Sequence, residues 1–182
     1  MIIFCDIDGT IFNNEHRVGV IPADRSHTAN WHEFNALHIY DTPIQYRIDL
    51  LNALAMEHLV IYLTSRTDTF HDSTKAQLNM AKCPPGPLVM RGVGEHRPSA
   101  EFKVDAIGME LACRGLLADS IDIELAHRGI SDAEFMLIDD DKHVCDAVAS
   151  RYPMARVIKV PSQCCAYLAA GRALSLGAER AL

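Results

Sequence analysis

Two aspartates, Asp6 and Asp8, follow directly on the apolar run Ile2–Cys5, and Asp139, Asp140 and Asp141 follow another, Phe135–Ile138. Folding alone gives no reason to end an apolar strand in charge, because burying an unpaired carboxylate is costly. If Asp6, Asp8, Asp139 and Asp140 converge, two carboxylates about 4 Å apart repel by ~4 kcal/mol at an effective dielectric near ~20. Such a cluster needs a cation. An all-oxygen set of this hardness suits Mg2+, which takes one or two carboxylates together with waters and phosphate oxygens.

Other residues fit a phosphate beside that ion. Gly9 lets the chain turn tightly after the first strand, so that neighbouring N–H groups can face an anion. Thr64 ends the run Leu59–Leu63 and offers a hydroxyl to a phosphate oxygen, and Lys103 adds a compact positive charge. The chemistry this combination suggests is covalent phosphoryl transfer. One carboxylate attacks phosphorus, the metal screens the two anions, and a second carboxylate supplies the proton to the leaving oxygen.

These residues need a scaffold that brings distant positions together. Short runs rich in Val, Ile and Leu recur at Ile2–Cys5, Leu59–Leu63, Leu88–Met90, Phe135–Ile138 and Val157–Val160. Helical patterns lie between them at Ile44–His58, Asp72–Lys82, Ala100–Cys113 and His143–Tyr152. Alternating strands and helices imply an α/β fold with a doubly wound parallel sheet. Ligands of such sheets bind at the carboxyl ends of the strands. The clusters Asp6/Asp8, Thr64–Arg66, Arg91 and Asp139–Asp141 all follow strands, so they share that edge.

With the scaffold in view, the series Asp6-Ile7-Asp8-Gly9-Thr10, Leu63-Thr64-Ser65-Arg66, Lys103 and Asp139-Asp140 resembles the haloacid dehalogenase superfamily of phosphotransferases. The resemblance implies that Asp6 is the nucleophile forming an aspartyl-phosphate. It implies that Asp8 is the general acid and then the base, with its backbone carbonyl on the metal. Thr64 and Lys103 would hold the phosphoryl group, and Asp139 with Asp140 would complete a Mg2+ site. A nearer resemblance covers Val89-Met90-Arg91-Gly92-Val93-Gly94-Glu95-His96-Arg97-Pro98 and Lys103, which is similar to a run in the 3′-phosphatase domain of phage-type polynucleotide kinase-phosphatases. Asp24-Arg25-Ser26, Trp31, Phe34 and Asp41-Thr42-Pro43 also resemble the segment after the first motif there and in related small phage proteins. Ser99 departs from an acid in that pattern, and Asp141 from an arginine. The implied substrate is a nucleic-acid 3′-phosphate end or a nucleotide, the alternative a free mononucleotide or another small phosphorylated metabolite. Gly9, Thr10, Ser65, Arg66, Arg91, Arg97, Arg25 and Trp31 are the substrate-side candidates.

Composition narrows the classes. The chain has 182 residues, 49% hydrophobic and 23% charged, and a net charge of −7. This is a single globular domain's worth of chain, and the negative balance argues against a long grip on duplex nucleic acid. No stretch approaches the ~18 apolar residues of a membrane span, and the absence of a basic, then apolar leader points to a cytoplasmic protein. The six cysteines form no C-x-x-C pair and read as reduced core thiols. No G-x-x-x-x-G-K-[ST] loop is present, so no kinase half is expected. A phospho-acceptor signalling domain would carry its acid pair first and its phosphorylated aspartate later, the reverse of the order here. Residues 13–41 are too long for a simple connection and read as a flap or minimal cap, with Arg17, Arg25 or Trp31 against the substrate. His16, His27, His32 and His38 lack the partner ligands of a zinc site. Residues 162–182, rich in Ala and Leu, read as a C-terminal helix. The sequence leaves the oligomeric state open.

Overall fold

The computed structural model describes residues 1–116 and 134–162. The helix expected over 162–182 therefore falls almost wholly outside the described residues, as do Cys164 and Cys165. In chain order the strands are β1 (Ile2–Cys5), β2 (Phe12–Asn13), β3 (Thr42–Pro43), β4 (Leu59–Thr67), β5 (Leu88–Arg91), β6 (Phe135–Asp139) and β7 (Arg156–Lys159). The helices are α1 (His32–Ala36), α2 (Gln45–Leu54), α3 (His71–Met80), α4 (Ser99–Cys113) and α5 (Lys142–Arg151).

Five strands form one sheet in the order β5-β4-β1-β6-β7, and every pairing is parallel. The period-2 alternation of a strand sends neighbouring residues to opposite faces. Ile2 and Phe4 thus join Ile61, Leu63, Phe135 and Leu137 against Phe102, Ile107 and Leu111 of α4 and Val144 and Val148 of α5. Ile3 and Cys5 join Val60, Tyr62 and Ile138 against Ile48 and Leu51 of α2 and Leu78 of α3. Helices cover both faces, which is why the strands read as continuous apolar runs.

Register positions the site. Cys5 lies level with Tyr62 on one side and Ile138 on the other, so the residues that follow, Asp6, Leu63 and Thr64, and Asp139, emerge at one edge. The element limits differ from the sequence reading in two informative places. β4 runs to Thr67, because the chain bulges between Thr64 and Thr67 and then pairs Thr67 with Arg91. α2 stops at Leu54, four residues before His58. Beyond Ala55 the apolar stripe has no buried continuation, and Met56 is 85% exposed.

The turn Pro84–Pro87 packs against β4, with Tyr62 N–H donating to the Pro87 carbonyl at 2.9 Å. Gly86 is required there, since a Cβ would lie 2.3 Å from the Val60 carbonyl oxygen. Residues 13–41 leave and re-enter through a two-stranded antiparallel ribbon, Phe12 opposite Pro43 and Asn13 opposite Thr42. Between those points the flap consists of short 3-10 turns and the single-turn α1. Among the described residues no helix is long and apolar enough to cross a membrane.

Candidate active site

The floor of the site is built by three neighbouring segments. Asp6 follows β1, Asp139 closes β6, and Lys103 comes from the second turn of α4. Lys103 Nζ donates to Asp6 Oδ1 and to Asp139 Oδ2, each at 2.7 Å, and all three side chains are buried. Thr10 Oγ1 donates to Asp6 Oδ2 at 3.0 Å and accepts the Asp140 N–H at 3.1 Å, tying the first acid to the second acidic segment. Asp139 Oδ1 accepts the Asp141 N–H at 2.9 Å, and Asp141 caps α5 by accepting from the His143 N–H at 2.8 Å.

Carboxylate oxygens of Asp6, Asp139 and Asp140 all lie within 4.8 Å of one another. Burial pushes Asp6 well above the usual carboxylate range; Lys103 opposes this, while Asp139, Asp140 and Asp8 add to it. Asp140 is pushed up to about 6 by burial and then by Asp139. For Lys103 burial works against the charge, but Asp139 and Asp6 outweigh it and hold the ammonium protonated. This is a cluster of hard oxygen donors with more negative charge than one lysine balances, and it fits a divalent ion such as Mg2+. The four histidines of the flap form no such group among the described residues.

Asp8 is held differently. Its side chain turns from the cluster to two buried guanidinium groups. Arg66 Nε and Nη2 donate to it at 2.9 and 2.6 Å, and Arg17 Nη2 from the flap donates to Oδ1. Burial alone would raise its pKa, but Arg66 and then Arg17 hold the carboxyl far below its ordinary value. The same two arginines share Asp41, which accepts from Arg17 Nε at 2.8 Å and also contacts Arg66 Nη2 at 3.4 Å and His16 Nε2 at 2.8 Å. Arg66 Nη1 is further satisfied by Gln77 Oε1 at 2.8 Å and Thr74 Oγ1 at 3.2 Å. Two arginines and two aspartates thus form a network, buried except where Asp8 meets the cavity, that joins flap, β4 and α3.

Above the floor lies a cavity of about 520 Å³, within the ~300–1,000 Å³ usual for small-molecule sites. It is lined by the acids, by Arg25, Trp31 and Phe34 of the flap, by Ser65 and Arg66, and by Arg91, His96 and Arg97. Trp31 stands edge-on to Phe34 with ring centres 5.6 Å apart. Thr64, Gly9 and Thr10 do not line it. Thr64 is wholly buried and its Oγ1 accepts the Arg66 N–H at 3.2 Å. Gly9 adopts φ +76° beneath Asp140. Arg97 is engaged by Glu95 at 2.7 Å and by Asp105. Arg17, expected against the substrate, instead has no exposed side-chain surface and serves Asp8 and Asp41.

No family model and no curated protein matches the sequence; solved structures do match the fold. A chain of the Pnkp1/Rnl/Hen1 RNA repair complex superposes with a TM-score of 0.57 at 19% identity, covering 87% of this chain and 42% of that one. A haloacid dehalogenase-like family hydrolase of Streptococcus pneumoniae gives 0.51 at 16% identity, covering 82% and 80%. A haloacid dehalogenase family enzyme of Bacteroides thetaiotaomicron, solved with magnesium and inorganic phosphate, gives 0.51 at 12% identity, covering 89% and 94%. The fold is that of the haloacid dehalogenase superfamily. This chain spans less than half the length of the RNA repair protein it matches.

Within this haloacid dehalogenase fold, three side chains that sequence reasoning left without a role shape the site. Asp41 is the second acid of the arginine network, and nothing in the flap's irregular pattern marks it as buried. Arg47 of α2 is buried and donates through Nη1 to the carbonyls of Gly9 at 2.9 Å and Thr10 at 2.8 Å, holding the turn that carries Asp8. It breaks the apolar face of a helix, a signal that periodicity could have exposed. Ser99, where the resemblance has an acid, meets Ser65 with their hydroxyl oxygens 2.6 Å apart.

Proposed function

We propose that this chain is a magnesium-dependent phosphomonoesterase working through an aspartyl-phosphate, with nucleic-acid 3′-phosphate ends or nucleotides as substrates. The observation that carries the reading is the meeting of Asp6, Asp139 and Asp140 within 4.8 Å, with Lys103 bridging two of them, at the floor of the cavity. Asp6, Asp139, Asp140 and the backbone carbonyl of Asp8 would hold Mg2+, which supplies charge screening between nucleophile and phosphate.

In the first half-reaction an Asp6 oxygen bonds to phosphorus and the ester P–O bond breaks. The departing alkoxide takes a proton from the Asp8 carboxyl. In the second, Asp8 removes a proton from water, whose oxygen attacks the same phosphorus, releasing phosphate and restoring Asp6. Lys103 balances charge on the phosphoryl oxygens as it passes from Asp6. The arginine pair on Asp8 suits the base step, and loosening of that pair on substrate entry would let Asp8 take up the proton needed first.

The likeness in fold to a chain of an RNA repair complex supports the nucleic-acid end as substrate, as do the basic and aromatic walls of the cavity. The free thiols of Cys5, Cys83, Cys113 and Cys145 suit a reducing cytoplasm. The test is turnover of an aryl phosphate and a 3′-phosphorylated oligonucleotide by the full chain, with Mg2+ and after chelation. Metal-dependent release of phosphate from both is expected; release that survives chelation, or none, overturns the reading.

A further inference from the structure

The cationic groups of the cavity differ in what already neutralises them. Lys103, Arg66 and Arg97 each have carboxylate partners. Arg91 has none within ion-pair distance among the described residues, although it is only 6% exposed and lines the cavity. Its Nη1 donates to the carbonyls of Glu95 and Arg97, and its guanidinium lies over the Phe102 ring, 4.8 Å from the centroid. These contacts fix the group's orientation. They leave Nε and Nη2 without an acceptor among the described residues, and that edge of a guanidinium is the one that grips a phosphate with two parallel hydrogen bonds.

A buried cation with no counterion is unfavourable. Burial accordingly lowers the Arg91 pKa, which Glu95 opposes only in part. Arg25, on the flap wall of the same cavity, is exposed and also makes no ion pair among the described residues. Arg91 ends β5, and β5 is two strands from β1 in the sheet, a lateral offset of about 10 Å at ~4.8 Å per strand. The phosphate being hydrolysed is served by Lys103, so an anion at Arg91 belongs to another part of the substrate.

We propose that Arg91, assisted by Arg25, forms a second anion subsite, so that the preferred substrate carries a further phosphate beyond the one hydrolysed. The inference rests on the phosphatase reading and deepens it. The second phosphate has two chemical sources, the phosphodiester of a strand and the additional phosphate of a free nucleoside bisphosphate. Arg97 has no share in the subsite, because Glu95 and Asp105 already take up its charge.

The test is kcat/KM of the full chain with Mg2+ on an aryl phosphate, a nucleoside 3′-monophosphate, a nucleoside 3′,5′-bisphosphate and a 3′-phosphorylated dinucleotide. Substrates with two phosphates are expected to exceed the monophosphate by roughly tenfold, mostly through KM. A gain confined to the dinucleotide assigns the subsite to a strand, and a gain with both assigns it to either source. Arg91→Gln is expected to reduce turnover of the two-phosphate substrates about tenfold more than that of the aryl phosphate, whereas Arg97→Gln affects both classes equally. Equal kcat/KM for one- and two-phosphate substrates in the wild type overturns the subsite even if Arg91→Gln fails to fold. Should no substrate turn over, the phosphatase reading itself falls. Calorimetric binding of the same nucleotides to the wild type then decides the subsite alone, equal affinities for mono- and bisphosphate overturning it.

Discussion

Arg17, carried on the flap, closes on Asp8, which sits at the turn after the first strand, and the pair spans the junction between the insertion and the sheet. Arg17 is fully withdrawn from water while Asp8 keeps part of its side chain open to the cavity, so the contact anchors the flap as well as neutralising the acid.

Removing Arg17 leaves the two carboxylates of Asp8 and Asp41 to share the single guanidinium of Arg66. Arg17→Ala is expected to cost roughly 3–5 kcal/mol of stability, read by denaturant unfolding, and to reduce aryl phosphate turnover at least about tenfold, because it also frees the flap from Asp8. A variant with unchanged unfolding midpoint and unchanged kcat would show that the tie has neither role.

Asp6→Asn tests the nucleophile. Hydrolysis should fall below about one percent of wild type, since an amide cannot form the acyl phosphate. The fold should survive, as Lys103 keeps Asp139 and one buried negative charge is lost. Circular dichroism melting checks the second point; turnover retained with an intact fold would reject covalent catalysis through this residue.

The acidic floor makes the metal-free protein sensitive to pH in a particular direction. Asp140 titrates near 6 in the folded chain against about 4 when unfolded, and Asp6 is also raised. The folded state therefore binds protons more tightly, and its stability falls as pH rises from about 4 through 6. Asp8 has the opposite sign, but its contribution is complete above about 4 and lost only below that. Metal-free protein should thus melt higher at pH 5.5 than at pH 7.5, and added Mg2+ should raise the melting temperature more at pH 7.5. Thermal melts at the two pH values, with and without the ion, decide this; a metal-free protein more stable at 7.5 would contradict the charge assignment.

Gly9→Ala should act on two levels. The left-handed φ of +76° costs a non-glycine residue roughly 1–2 kcal/mol. The new Cβ would also lie 2.4 Å from Asp140 Oδ2 and force that carboxylate aside. Lower stability with weaker Mg2+ binding by calorimetry is expected, and unaltered metal affinity would separate Asp140 from the metal site.

Much of this arrangement could be read from the chain before any coordinates. Strand-end acids announce themselves because an apolar run predicts burial and a carboxylate contradicts it; Asp6, Asp8 and Asp139 carry that signal, and parallel register converts it into proximity. The flap gave no comparable signal. Arg17 and Asp41 lie in a stretch without helical or strand period, so nothing local tells a buried ion pair from solvated charges, and their meeting depends on how the loop folds back. Thr64 shows what a strand-end position leaves open: the side chain is wholly buried and its Oγ1 accepts the Arg66 N–H, a local contact set by the bulged backbone between Thr64 and Thr67 that no periodicity announces.

The ribbon joining Phe12–Asn13 to Thr42–Pro43 makes the exit and the return of residues 13–41 immediate neighbours. A loop whose ends are already clasped can be lengthened or rebuilt cheaply, since doubling its span adds only about 0.6 kcal/mol of closure entropy. Descendants of this scaffold can therefore change which molecules they admit by rewriting one wall, so long as the rewritten loop still delivers a cation to Asp8.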